Sequence, residues 1–200
     1  PITRINGNAK MVDNKLIINR LEALLHNPSG NSTKQERQNT YIDGTMDFSK
    51  FFHPGYDLKV KSNNASYKLL FLDISGISDL DLTIAGRDTV LIDGTIETQE
   101  ANVFYEFSTE YVGTPIQDGQ ETILAYNLNI PILGSAFFKN SQINAKVTGE
   151  LTLSQVGSQE IDFGGQIIVE DGSVYSYTDY FTELQGSVSF DNKGFNPDIN

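Results

Sequence analysis

Apolar and polar residues alternate along most of this chain. Leu80, Leu82 and Ile84 interleave with Asp79, Asp81 and Thr83. Val90, Ile92, Gly94 and Ile96 share one side, while Asp93, Thr95 and Glu97 take the other. Val103, Tyr105 and Phe107 repeat the pattern. So do Val147, Gly149, Leu151 and Leu153, and then Leu184, Gly186, Val188 and Phe190. Successive side chains of a strand point to opposite faces, so each run predicts a strand with one apolar and one polar side. Asp-Gly, Asn-Gly, Asp-Asn and Pro-Gly pairs lie between apolar positions and supply residues that tolerate turn dihedrals. A strand roughly every ten residues predicts an all-β chain.

One segment is ambiguous. In Leu16–Leu25, Ile17, Leu21 and Leu24 stand at helical spacing, and Asn27-Pro28-Ser29-Gly30 would stop a helix. Against this, Asp13-Asn14 reads as a two-residue turn between Ala9–Val12 and Lys15–Ile18. The expectation is a strand at first, with a short helical turn later. Residues 27–40 are polar, lack periodicity and predict a loop.

A loose repeat runs through the chain. A glycine within alternating residues recurs around Gly44, Gly94, Gly149, Gly165, Gly172 and Gly186. Glycine inside a strand marks a bulge, a bend or a close backbone approach. A bend at a similar place in many strands curls a long sheet along its whole length, giving a trough or a solenoid built by stacking units.

Composition narrows the function. Lys+Arg number 14 and Asp+Glu 26, a formal net charge of −12. So acidic a chain repels phosphate backbones and anionic lipid surfaces, which makes nucleic acid an unsuitable partner. The charge is lopsided: residues 1–70 carry a net +4 and the rest −16. No apolar run reaches the roughly 18 residues of a membrane helix. The absence of cysteine excludes disulfides, thiol nucleophiles and Cys-ligated zinc. A start at Pro1 and an end directly after Asn196-Pro197-Asp198-Ile199 suggest a segment of a longer protein, read here as one domain over residues 1–200.

Catalytic signals are weak. His26 and His53 both neighbour proline-glycine loops and have no ligand at metal spacing. No Gly-x-Ser-x-Gly elbow, dinucleotide fingerprint or phosphate loop is present. Asp79 and Asp81 share a strand face, as a carboxylate pair or calcium site requires, but polar-face alternation accounts for them more simply. The expectation is no enzyme, no cofactor and no metal.

The last part of the chain carries a family pattern. Gly165–Val169 is followed by Glu170-Asp171-Gly172, read as an acidic-glycine turn, and by the aromatic run Val174-Tyr175-Ser176-Tyr177. Gly186-Ser187-Val188-Ser189-Phe190 and Asn196-Pro197-Asp198-Ile199 complete it. This order resembles the C-terminal conserved domain of the TamB family, within the AsmA-like bridge-like lipid-transfer proteins. The match is best over residues 145–200, and residues 1–112 share only its texture. Thr178-Asp179-Tyr180-Phe181 departs from the Gly-plus-apolar connection common in the family.

The resemblance implies a long curved antiparallel sheet forming an open β-taco trough with an apolar interior. It implies an inner-membrane-anchored protein crossing the periplasm of a diderm bacterium, moving phospholipid toward the outer membrane. It also implies a link to outer-membrane protein assembly beside an Omp85-type barrel. The expected partners are therefore phospholipid or another acyl-chain ligand, and that barrel. The residues expected to line the groove are Leu80, Leu82, Ile84, Val90, Ile92, Ile96, Val103, Tyr105, Phe107, Leu151, Leu153, Leu184, Val188 and Phe190. An ordinary β-sandwich core would show the same apolar face. The competing functions are an assembly adaptor that pairs its strands with a barrel, and a β-solenoid with carbohydrate activity or adhesion.

Overall fold

The computed structural model describes residues 2–25, 38–69, 74–104, 122–176, 178–193 and 198–199. Every secondary-structure element among them is a strand. In chain order these are β1 (Ile2–Val12), β2 (Lys15–Leu25), β3 (Thr40–Asp47), β4 (Gly55–Leu69), β5 (Ile74–Gly86) and β6 (Thr89–Val103). Then come β7 (Ile123–Lys139), β8 (Ile143–Val156), β9 (Asp162–Ser176), β10 (Asp179–Phe181), β11 (Gly186–Asp191) and β12 (Asp198–Ile199). All join one open sheet in the order β1-β2-β3-β4-β5-β6-β7-β8-β9-β11-β12, with β10 hydrogen-bonded to β9.

Neighbours pair antiparallel except β6 and β7, which run parallel from Thr89↔Ile123 to Val103↔Phe138. The sheet is otherwise antiparallel, as expected. A parallel pair requires the chain to return to the starting end of the sheet. Residues 104–122 supply a connection longer than β6 itself.

Among the described residues, no second layer covers the sheet. The strands touch in substance only their ladder neighbours, apart from a slight approach of β2 to β4. The sandwich alternative is therefore wrong for the described residues, and the antiparallel hairpins are not the parallel rungs of a solenoid. Yet the two faces differ. Leu80, Leu82 and Ile84 are half-buried, while Asp81, Thr83 and Ala85 between them are exposed. Half-burial without a covering layer arises where side chains crowd on the inner side of a curved sheet.

β-Bulges supply that curvature. The ladder shifts between Ser62 and Ala65, between Thr98 and Glu100, between Ile132 and Ala136, and between Lys146 and Val147. From β4 to β9 these shifts fall on adjacent rungs and form a crease across the sheet. An extra residue in one strand bends it and sharpens its twist. Small side chains flank the crease. Ser62, Ala65, Ser78, Thr98, Ala101, Ala136 and Ala145 are all buried.

Local readings fare unevenly. Asp13 and Asn14 both have positive φ (45° and 64°) and close the β1–β2 hairpin as expected. The helical turn expected within Leu16–Leu25 is absent, because β2 is a strand throughout. A bulge adds a residue between Ile18 and Leu21, so one face carries Leu16, Ile18, Leu21 and Ala23. That three-residue step imitates helical spacing. The polar loop ends earlier than expected: Thr40 already belongs to β3, and residues 26–37 lie outside the described residues. Asn39 ties the loop's end down, its side chain bonding both Leu25 N and Leu25 O at 3.0 Å.

The repeated glycines lie inside strands, not at turns. Glu170-Asp171-Gly172 sits within β9, which corrects the acidic-glycine turn. Gly94 has φ +140° and Gly149 +130°. These are extended mirror-image conformations, unlike the left-handed values of a hairpin turn. A Cβ on Gly94 would lie 2.1 Å from Asp81 O. Gly94→Ala should therefore lower unfolding stability by about 1–3 kcal/mol. Urea denaturation against Thr83→Ala, an exposed control, measures this.

Candidate functional site: an uncovered apolar face

Strand register places the expected groove residues on one face. Directly opposed residues share a face, so partners can be followed across the sheet. One rung runs Leu21, Ile42, Val60, Leu82, Gly94, Leu128, Leu153 and Phe163, from β2 to β9. The next runs Ile18, Gly44, Leu58, Ile84, Ile92 and Tyr126. Leu80 opposes Ile96, and Val90 opposes Gly86 and Leu124. Leu151 meets Gly165, which meets Phe190, and Val188 meets Ile167. Val103 opposes Phe138 beyond the crease.

The expected set thus converges, with exceptions. Tyr105 and Phe107 lie outside the described residues. Leu184 precedes β11, which begins at Gly186, and its backbone N–H donates to Gly172 O at 3.0 Å. Of the described residues in the set, Val90 is buried and the others are half-buried. Ile42, Leu58, Val60, Leu128, Ile130, Phe163 and Ile167 share the face but were not singled out from sequence. Their period-two spacing in β3, β4, β7 and β9 carried the signal.

Sequence inspection also missed Tyr67. It opposes Gly76 on the apolar side of the crease. A Cβ on Gly76 would lie 2.9 Å from the Tyr67 hydroxyl, so glycine leaves room for the phenol to lie across the floor. Burial pushes the Tyr67 pKa up, while the nearby Ser78 and Thr98 hydroxyls pull it partly back. The approach to Ser78 stops short of a hydrogen bond, since Ser78 Oγ is buried without a partner, as is Ser62 Oγ. The apolar face is therefore crossed by a thin band of hydroxyls at its crease.

The other face is polar and locally paired. Asp79 Oδ1 accepts the Asn64 N–H at 2.6 Å, at a bulge residue with φ 50°. Asp81 bonds Lys61 Nζ at 2.8 Å, which raises the Lys61 pKa. Both aspartates are thus engaged with neighbouring strand β4 on the polar face. His53 offers its backbone carbonyl to Arg87 Nη1 at 2.6 Å. His26 lies outside the described residues. No cluster of three or more His, Cys, Asp or Glu suited to a metal occurs among the described residues.

Tyr175 and Tyr180 stack at 4.3 Å on the β9–β10 hairpin, and Tyr177 lies outside the described residues. Beside them, on the polar face, is a depression of about 360 Å³ lined partly by Lys146, Asp171 and Glu183. Its polar walls separate it from the apolar rungs.

Burial of Tyr67 has a signed consequence. A phenol whose folded pKa lies above its unfolded value contributes stability that is full below about pH 10 and is lost as the pH rises through the folded pKa. Alkaline absorbance titration should show a late-ionising tyrosine that Tyr67→Phe removes. A titration unchanged by the substitution would place that late step elsewhere.

Comparison with known proteins agrees with this architecture. A family model described as the TamB C-terminal domain matches residues 30–200. It reaches well beyond residues 145–200, where the sequence pattern is sharpest. A search of curated proteins returns no match. No helix among the described residues is long and apolar enough to cross a membrane. With a single open β-sheet and a family match over most of its length, the chain belongs to the TamB family, a family of envelope biogenesis and transport associated with an Omp85-type partner.

Proposed function

We propose that the apolar face conducts phospholipid across the periplasm toward the outer membrane, without catalysis, as part of a protein anchored in the inner membrane. The observation that carries this reading is the apolar rung from Leu21 to Phe163, which crosses seven neighbouring strand pairs with no layer above it among the described residues. Large exposed apolar surfaces mark ligand or partner sites. Acyl chains need a continuous apolar surface and no directional bonds. Burying a ~16-carbon chain yields on the order of 10 kcal/mol at roughly 0.8 kcal/mol per CH₂, before entropic costs. Headgroups stay in water at the lip. Movement along such a surface requires no specific residue, which fits a chain without a catalytic motif.

A second reading is supported by the sheet's edges. β1 has one ladder neighbour, and β12 covers only Val188 and Ser189 of β11. Open edges pair with added strands by β-augmentation, as an assembly adaptor for an Omp85-type barrel would require. Crosslinks from β11 to a barrel, with no lipid in the trough, would favour it.

Native mass spectrometry with solvent extraction tests the conduit. Phospholipid should co-purify at a reproducible stoichiometry. Ile92→Asp or Leu82→Asp places a charge among half-buried apolar neighbours and should abolish that load while the β-sheet circular dichroism persists. Retained lipid in folded variants would remove these positions from the path.

A further inference from the structure

The most exposed aromatic side chains among the described residues are Phe51 and Phe52, at 74% and 87%. They sit in the β3–β4 connection, edge to face with centroids 5.5 Å apart. That connection is fixed from three directions. Within it, Ser49 N donates to Asp47 Oδ1 at 2.8 Å and His53 N to Lys50 O at 3.0 Å. From the β5–β6 turn, Arg87 donates to His53 O at 2.6 Å and Ser49 Oγ at 3.3 Å, and pairs with Asp47 at 2.8 Å. From the β1–β2 turn, Asn14 O accepts Phe48 N at 2.7 Å. Two apolar rings are thus held out in water by a loop that is already ordered, so little entropy is lost when they meet a partner.

We propose that this corner docks on a phospholipid bilayer surface. The two rings enter the boundary between headgroups and acyl chains, and the surrounding lysines meet lipid phosphates. Met11 and Val12, exposed on the adjacent hairpin, extend the apolar tip. Lys10, Lys15 and Lys50 are exposed around it and outnumber Asp13 and Asp88, since Arg87 and Asp47 neutralise each other. One rung further in, Asp57 is offset by Lys59 on the same strand face. The chain is strongly acidic as a whole, but residues 1–70 carry +4 and the acidity lies in the remainder. Screening over about 8 Å at physiological salt makes the local sign decisive. Apolar tips ringed by lysine suit a bilayer better than a protein groove, whose core is depleted of lysine.

Co-sedimentation with phosphatidylethanolamine–phosphatidylglycerol vesicles tests this. The chain should sediment with vesicles and be released by salt. Phe51→Ser/Phe52→Ser, made at exposed positions, should weaken partitioning at least about tenfold with an unchanged melting temperature. Lipid extracted from the trough should be the same in both proteins, which separates docking from conduction. Equal sedimentation of the double variant, or no sedimentation of the parent at low salt, would overturn the proposal. Loss of capture by an outer-membrane barrel in the variant, without vesicle binding by the parent, would assign the corner to a protein and overturn it equally.

Discussion

An apolar sheet face that no other described residues cover has to be sheltered by the sheet's own bending. Everything else in this fold depends on that constraint. Hydrogen bonds run along every ladder and do not select a shape, because a flat sheet would satisfy them as well. Bulges select it, by inserting an extra residue into β4, β6 and β9 and two into β7, on adjacent rungs. The small residues at the crease let the inner face close on itself. Ser78 is 0% exposed there although no second layer of described residues lies over it. A large side chain at Ala65 or Ala136, both buried, would push the flanking rungs apart.

The same crease explains the polar band in an otherwise apolar path. A tight fold needs small residues, and serine and threonine are small as well as β-compatible at threonine. Their hydroxyls then face inward. Tyr67 lies across them, and its long ring covers floor that small residues leave thin. Glycine at position 76 is the complement of that ring, with no Cβ to displace the phenol. The floor is therefore built by exchange between a large residue on one strand and small ones on its neighbours.

Much of this was legible in the sequence, for a physical reason. Period-two alternation is a property of the pleat itself, so it assigned Leu80, Leu82, Ile84, Ile92 and Ile96 to a shared side before any pairing was known. Pairing partners leave no comparable trace in one strand, which is why the parallel β6–β7 contact was not foreseen. Bulges actively mislead, as between Ile18 and Leu21, where the extra residue turns a strand period into a helical one. Asp-Gly pairs mislead as well. The same dipeptide serves a hairpin turn or a mid-strand kink, and only φ tells them apart. Nothing in the spacing of the chain links Arg87 to the loop that holds out Phe51 and Phe52; only the fold brings them together.

Edge chemistry bears on how such a sheet meets its neighbours. Long open edges invite uncontrolled pairing unless they are distorted. β1 is distorted: Arg4 has φ 51°, and the register slips between Thr3 and Asn6 and again between Asn8 and Ala9. An incoming strand would meet an irregular row of donors and acceptors there. β11 is regular through six consecutive pairs with β9, from Gly186↔Val169 to Asp191↔Gly164. Its outer edge is occupied only at two residues by β12. If a strand of a barrel is added to this sheet, the regular β11 edge is the side whose hydrogen-bonding row is in step to receive it, and the bulged β1 edge is not. The two ends of the sheet are therefore unequal, and the apolar rungs between them acquire a direction.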